Sequence, residues 1–153
     1  MRADLSSSPM STSNNPENEL QHSEGIRIVT PEEFDSSTAQ TPGSKRLGAI
    51  PGMSISKPQM WGGLFFVEPK AQTAIHHHGV QETIVYVLEG QALIRWGEHG
   101  EFEAVANPGD FIRVPPFLPH QETNPSGSVT FSWVVVRSTP EPIVVNLPAG
   151  YWD

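Results

Sequence analysis

The sequence predicts an all-β chain, a jelly roll or closed barrel of about eleven short strands, with a disordered N-terminal tail. Three observations predict it. Pro (15) and Gly (13) are frequent among the 153 residues, which favours short elements joined by turns over long helices. From Gly25 onward, short apolar runs alternate with turn residues at regular spacing. Only one segment, Pro31-Glu32-Glu33-Phe34 behind Thr30, has a helix-like start, and it supports a single turn.

Within residues 1–24, the run Ser6-Ser7-Ser8-Pro9 and the segment Ser11 to Glu19 are almost entirely Ser, Thr, Asn, Pro and Glu, a composition that buries too little apolar surface to offset chain entropy. Residues 1–24 are read as a disordered tail, and residues 25–153 as one domain. Within the domain the strand candidates are residues 26–29, 46–50, 60–67, 73–78, 83–88, 92–96, 102–105, 111–114, 120–123, 129–137 and 143–146. Turn signals separate them: Thr41-Pro42-Gly43, Pro51-Gly52, Glu89-Gly90, Gly97 to Gly100, Asn107-Pro108-Gly109 and Pro125 to Gly127. Alternation supports the strands. Glu82, Ile84, Tyr86 and Leu88 share one face; Val129, Phe131, Trp133 and Val135 share another. Both faces of these strands carry apolar residues, as where a strand is sandwiched or covered by a second copy.

Charge and composition narrow the function. A formal net charge of −8 argues against nucleic acid and anionic membrane surfaces. With no cysteine, disulfides and thiolate metal sites are excluded, so a metal would need His, carboxylate or amide ligands. No apolar run marks the first twenty residues, and none is long enough to span a membrane. Cytoplasm is the default location.

The histidines carry the functional signal. His76 and His78 alternate at the end of a strand, so they project to one face, about 6–7 Å apart at Cα. Glu82 follows after a tight loop through Gly79. Further on, Pro115-Pro116-Phe117-Leu118-Pro119 forms a stiff corner that presents His120 at the start of the next strand, where His120, Glu122 and Asn124 share a face. Imidazole and carboxylate ligands suit Fe, Mn, Ni or Zn. His77 in place of His76 is an open alternative.

These residues resemble the cupin superfamily. Its first motif has the core His-x-His-x3-Glu, read here as His76 through Glu82, with seven residues rather than six before Gly90. The extra residue predicts a β-bulge or a longer hairpin. Counting back from Gly90 with the usual spacing would instead select His77, Gly79 and Thr83, a register that keeps only one good ligand and is rejected. The second motif is matched by Gly109, Pro115, His120 and Asn124, with Phe117 where the family has Gly. Lys70 stands where the first motif has its leading Gly. More narrowly, the chain looks like small single-domain cupin-2 proteins of the RmlC-like kind.

The resemblance implies a double-stranded β-helix in which His76, His78, Glu82 and His120 hold one divalent transition metal (Fe, Mn, Ni or Zn), with open positions for a ligand. It implies a small-molecule substrate, and a homodimer pairing outer strands. The expected activity is that of a dioxygenase-like oxidoreductase on a small oxygenated metabolite. A metal-dependent isomerase of a sugar or sugar phosphate is the alternative, and it would need a basic anchor such as Arg113, Arg95 or Lys70. A non-catalytic small-molecule-binding cupin is the third reading. Gln81, Gln121 and Asn124 are candidates to orient the imidazoles. Trp61, Phe65, Phe117 and Trp133 are candidates for the barrel mouth, and Trp96 and Phe111 are expected in the core.

Overall fold

The computed structural model describes residues 25–51 and 58–153; the expected tail at 1–24 lies outside them. Ten strands form: β1 (Lys45–Ile50), β2 (Trp61–Val67), β3 (His76–His77), β4 (Thr83–Glu89), β5 (Ala92–Trp96), β6 (Phe102–Ala106), β7 (Phe111–Val114), β8 (His120–Thr123), β9 (Phe131–Arg137) and β10 (Val145–Asn146). The one helical element among the described residues is a 3-10 turn, Pro31–Glu33, where the Thr30 N–H donates to the Glu33 carboxylate at 2.9 Å. The strands build two five-stranded sheets, β1-β2-β9-β4-β7 and β10-β3-β8-β5-β6, paired antiparallel throughout. This is the predicted all-β jelly roll.

Alternation explains which side chains fill it. Trp61, Phe65 and Val67 of β2, Val85 and Val87 of β4, and Phe131, Trp133 and Val135 of β9 are buried against Ala92 and Ala106 of the other sheet. The rings of Phe65 and Phe131 lie 5.5 and 5.0 Å from that of Trp133, so an aromatic stack fills the middle of the sandwich. The expected bulge is present: in the β4–β9 pair the register shifts between Val87 and Glu89, which leaves Leu88 as the extra residue. Gly90 then turns at φ +76, where a Cβ would sit 2.8 Å from Phe131.

Four expectations are corrected. Residues 26–29 form no strand, since Ile26 and Ile28 point into solvent with nothing to pack against. The strand expected over 73–78 shrinks to two residues plus an isolated bridge from Gln72 to Thr123. Phe111 lies on the outer face rather than in the core, and Trp96 is only partly buried. Phe117 is exposed as well, whereas Trp61, Phe65 and Trp133 are buried.

The two departures from the motif glycines keep the backbone that glycine would choose. Lys70 has φ +64 and Phe117 φ +59. Both hold the left-handed conformation despite a Cβ, which costs on the order of 1 kcal/mol each. At Phe117 the reason is the corner itself: its N–H donates to the Gly79 carbonyl at 2.8 Å, tying the proline-rich turn to the loop after His78.

A candidate metal centre between the sheets

Short β3 and the start of β8 place His76 and His120 as direct register partners, with ring centroids 4.3 Å apart. His78, beyond the end of β3, brings its ring to 4.8 Å from His120 and 5.0 Å from His76. All three are buried, and one nitrogen of each lies within 4.8 Å of the others. His77 points away: its Nδ1 accepts from the Gly79 N–H at 3.0 Å, and its ring meets Phe117.

Backbone carbonyls set the tautomers. Nδ1 of His76 lies 2.8 Å from the Ala74 carbonyl, Nδ1 of His120 2.8 Å from that of Leu118, and Nδ1 of His78 3.1 Å from that of Ile143. A carbonyl only accepts, so each Nδ1 carries the proton and each Nε2 is left with a free lone pair. Burial drives the His76 imidazolium down to about 4, against the pull of Glu122 and with help from His120. Burial, then the charge of Arg137 and the other two imidazoles, lowers His78 as well. Neutral imidazole is the form that ligates a metal. Nε2 of His76 and of His120 are buried and have no hydrogen-bond partner among the described residues. Buried polar atoms are rarely left so, and an ion bound between them would satisfy both. The donor set therefore fits a divalent transition ion.

Glu82 is not brought to this cluster. Its side chain is 45% exposed and accepts from Arg113 Nη2 at 2.7 Å. The reason is the pleat: Thr83, Val85 and Val87 face inward on β4, so Glu82 falls on the outer face with Ile84, Tyr86 and Leu88. Thr83 takes the inward position instead, and its buried hydroxyl has no partner among the described residues. A different carboxylate is near the imidazoles. Glu122 Oε1 lies 3.5 Å from His120 Nε2 and Oε2 3.9 Å from His76 Nε2, while Thr73 Oγ1 donates to Oε2 at 2.8 Å. Burial pushes Glu122 up, yet His76, His120, Thr73 and Arg46 together hold it below the usual carboxylate range. The shared face of His120 and Glu122 was the sequence signal for this residue.

The other candidates separate. Gln81 acts at one remove: its Oε1 accepts from the Ile143 N–H at 2.8 Å, and the Ile143 carbonyl accepts from His78. Asn124 pins backbone by donating to the Val67 and Val129 carbonyls, and Gln121 donates to the Thr73 carbonyl. Neither bonds an imidazole. Lys70 donates to the Pro125 carbonyl and Arg95 to that of Gly100, while Arg113 borders the outer cavity between β5, β6 and β7. Two arginines escaped the sequence reading. Arg46 and Arg137 are 2% and 1% exposed and lie in the barrel interior; Arg137 continues the inward alternation of Phe131, Trp133 and Val135 on β9, which was a signal for it.

Two cavities adjoin the cluster. The outer one, about 500 Å³, opens between β5, β6 and β7, with Ile94, Trp96, Ile112 and Leu118 among its walls and His120 on its lining. The inner one, about 20 Å³, lies between the sheets and is also lined by Val114 and His120.

This arrangement agrees with the family comparison, in which residues 63–137 match Cupin_2, the cupin domain. The chain carries a cupin domain. Solved structures with the same fold include the polyketide cyclase RemF from Streptomyces resistomycificus, at TM-score 0.64 and 20% identity, over 84% of this cupin and 91% of that chain. A sugar phosphate isomerase of the cupin superfamily from Silicibacter pomeroyi matches at TM-score 0.57 and 21% identity, over 73% of this cupin and 75% of that chain. A mutant of Bacillus subtilis oxalate decarboxylase matches at TM-score 0.60 and 22% identity, over 72% of this cupin and 29% of that chain. No curated protein matches the sequence. At these identities the neighbours establish the fold of this cupin. No helix among its described residues is long and apolar enough to cross a membrane.

Proposed function

We propose that this cupin is a metal-dependent enzyme in which His76, His78 and His120 hold one divalent transition ion (Fe, Mn, Ni or Zn), acting as a dioxygenase-like oxidoreductase on a small oxygenated metabolite. The observation that carries the metal site is the arrangement of the imidazoles: three Nδ1 atoms bonded to backbone carbonyls, with the Nε2 atoms of His76 and His120 buried and unpartnered. An ion bound there would supply Lewis acidity and, if iron, access to oxygen chemistry. The chain itself contributes burial that excludes water, fixed tautomers, and the Glu122 carboxylate beside two of the Nε2 atoms. Glu82 is left out of the ligand set, because its carboxylate is on the outer face with Arg113.

The largely apolar wall of the outer cavity supports the oxidoreductase reading over the sugar-phosphate isomerase. Its one arginine, Arg113, is already paired with Glu82. The test is metal content of the untagged protein, wild type and His120→Ala, followed by oxygen uptake with diketone-like compounds. Near one equivalent of metal, lost in the variant, supports the site. Absence of metal after reconstitution sinks it; metal without turnover favours a non-catalytic binding cupin, and turnover without oxygen favours the isomerase.

We further infer a homodimer, formed on the outer face of the β1-β2-β9-β4-β7 sheet. Leu64, Val134, Tyr86 and Phe111 are successive register partners across four strands there, an apolar row with Phe111 75% exposed.

A further inference from the structure

The inner cavity holds an imbalance of charge. Arg46 and Arg137 both line it, and each has a buried Nε–H without a hydrogen-bond partner among the described residues. Two more donors on the same lining are also unpartnered: Trp133 Nε1 and the Thr83 hydroxyl. The guanidiniums are anchored elsewhere, Arg46 through Nη1 to the Ala39 carbonyl and Arg137 through Nη1 to Gln81 and the Ile143 carbonyl. Their Nε atoms are thus held in place and left free.

Glu122 is the one carboxylate on this lining. Two guanidiniums against one carboxylate leave one uncompensated positive charge between the sheets, and a divalent ion on the imidazoles would raise that to three. Buried charge of one sign is costly unless it is paired and hydrogen-bonded. Burial disfavours both guanidinium charges, pulling Arg46 down to about 10 and Arg137 to about 9.

We propose that this cavity is the subsite for the carboxylate of the substrate, and that the substrate is an apolar monocarboxylate whose body fills the outer cavity. Size supports a carboxylate head. About 20 Å³ admits one or two atoms of water-oxygen size, since one water needs roughly 10–15 Å³. Planar, bidentate oxygens suit guanidinium and indole donors. Position supports the apolar body: Val114 and His120 line both cavities, so the two lie back to back at the metal ligands, and the substrate is required to pass between them. This assignment rests on the metal-centre reading for the ion, and on the arginines for the anion.

The test is calorimetric titration of the full chain with 3-phenylpropionate and with its neutral amide, in metal-loaded and chelator-stripped samples whose metal content is measured separately. The expected result is a preference of at least tenfold for the carboxylate in the loaded protein, smaller but present in the stripped one. Thr83→Val and Arg137→Lys should each reduce that preference several-fold, weakening carboxylate binding more than amide binding. Should Arg137→Lys fail to fold by its melting curve, the acid-to-amide ratio in the wild type and in Thr83→Val still decides. Equal binding of acid and amide, or binding of neither, in protein shown to contain metal overturns the carboxylate subsite and leaves the metal reading standing. A preference that survives in protein unable to take up metal overturns the metal reading and leaves the subsite. An unchanged preference in both variants overturns its placement at these residues.

Discussion

His76 and His120 face each other as cross-strand partners, their rings 4.3 Å apart, with both Nδ1 atoms tied to main-chain carbonyls two residues earlier in sequence. The same local device, a ring folded back on residue i−2, therefore serves on two different strands. Both side chains are positioned by their own backbone, so their orientation survives as long as β3 and β8 stay paired.

That burial has a consequence for pH. His76 is pushed down to about 4 by burial, and His78 is lowered for the same leading reason. In the unfolded chain both titrate near 6.5. Between those values the unfolded state binds more protons, so stability is full above pH ~6.5 and falls as the pH drops toward 4, by at most about 1.4 kcal/mol per pH unit for each histidine. Thermal melts of metal-free protein at pH 7.5, 6.5, 5.5 and 4.5 should show a flat top and then a decline. A melting temperature that rises on acidification would contradict the neutral, buried imidazoles.

Glu82 separates two ligand sets. With its carboxylate on the outer face beside Arg113, Glu82→Gln is expected to keep full metal content and to cost less than about 1 kcal/mol of stability, the usual worth of an exposed ion pair. Loss of metal in Glu82→Gln, measured by elemental analysis beside His120→Ala, would return Glu82 to the site.

The strands of the fold were legible because turn residues and alternation are local signals; β5 and β7 span the residues that pattern predicts. His76, His78 and His120 were legible because spacing on strands determines a shared face. Glu82 was not, for a physical reason. Alternation grouped it with Ile84, Tyr86 and Leu88, but the opposite face, Thr83, Val85 and Val87, is also apolar, so period 2 could not say which side was the interior. The bulge at Leu88 absorbs the extra residue, and Thr83 takes the inward place, which belongs to the register that had been rejected for keeping only one good ligand. Arg46 was invisible to a reading that expects charge at the surface, and the same expectation hid Arg137 although it alternates in phase with Trp133 and Val135.

Lys70 offers a test of the motif departures. At φ +64 it occupies left-handed backbone, and its ammonium donates to the Pro125 carbonyl at 2.9 Å from an exposed position. Lys70→Gly removes a conformational penalty of about 1 kcal/mol and loses an exposed hydrogen bond of smaller worth. We expect a net gain below about 1 kcal/mol in denaturant unfolding, with metal content unchanged. A clear loss of stability would mean that the ammonium contact outweighs the backbone strain.

The outer face of β4 carries the assembly prediction. Ile84, Tyr86 and Leu88 are each between a third and a half exposed, and the Tyr86 ring packs, tilted, 5.0 Å from that of the still more exposed Phe111. Leu64 and Val134 extend the row across the sheet. Monomers rarely leave so continuous an apolar row in water, whereas a symmetric dimer would bury it twice over one axis. Replacing Tyr86 with Glu puts two like charges near that axis without touching the inward residues Val85 and Val87. Sedimentation should therefore show a dimer for wild type and a folded monomer for Tyr86→Glu, with metal content retained because the imidazoles lie on the other sheet. A wild-type chain that sediments as a monomer at micromolar concentration would remove the dimer and leave this face open to solvent.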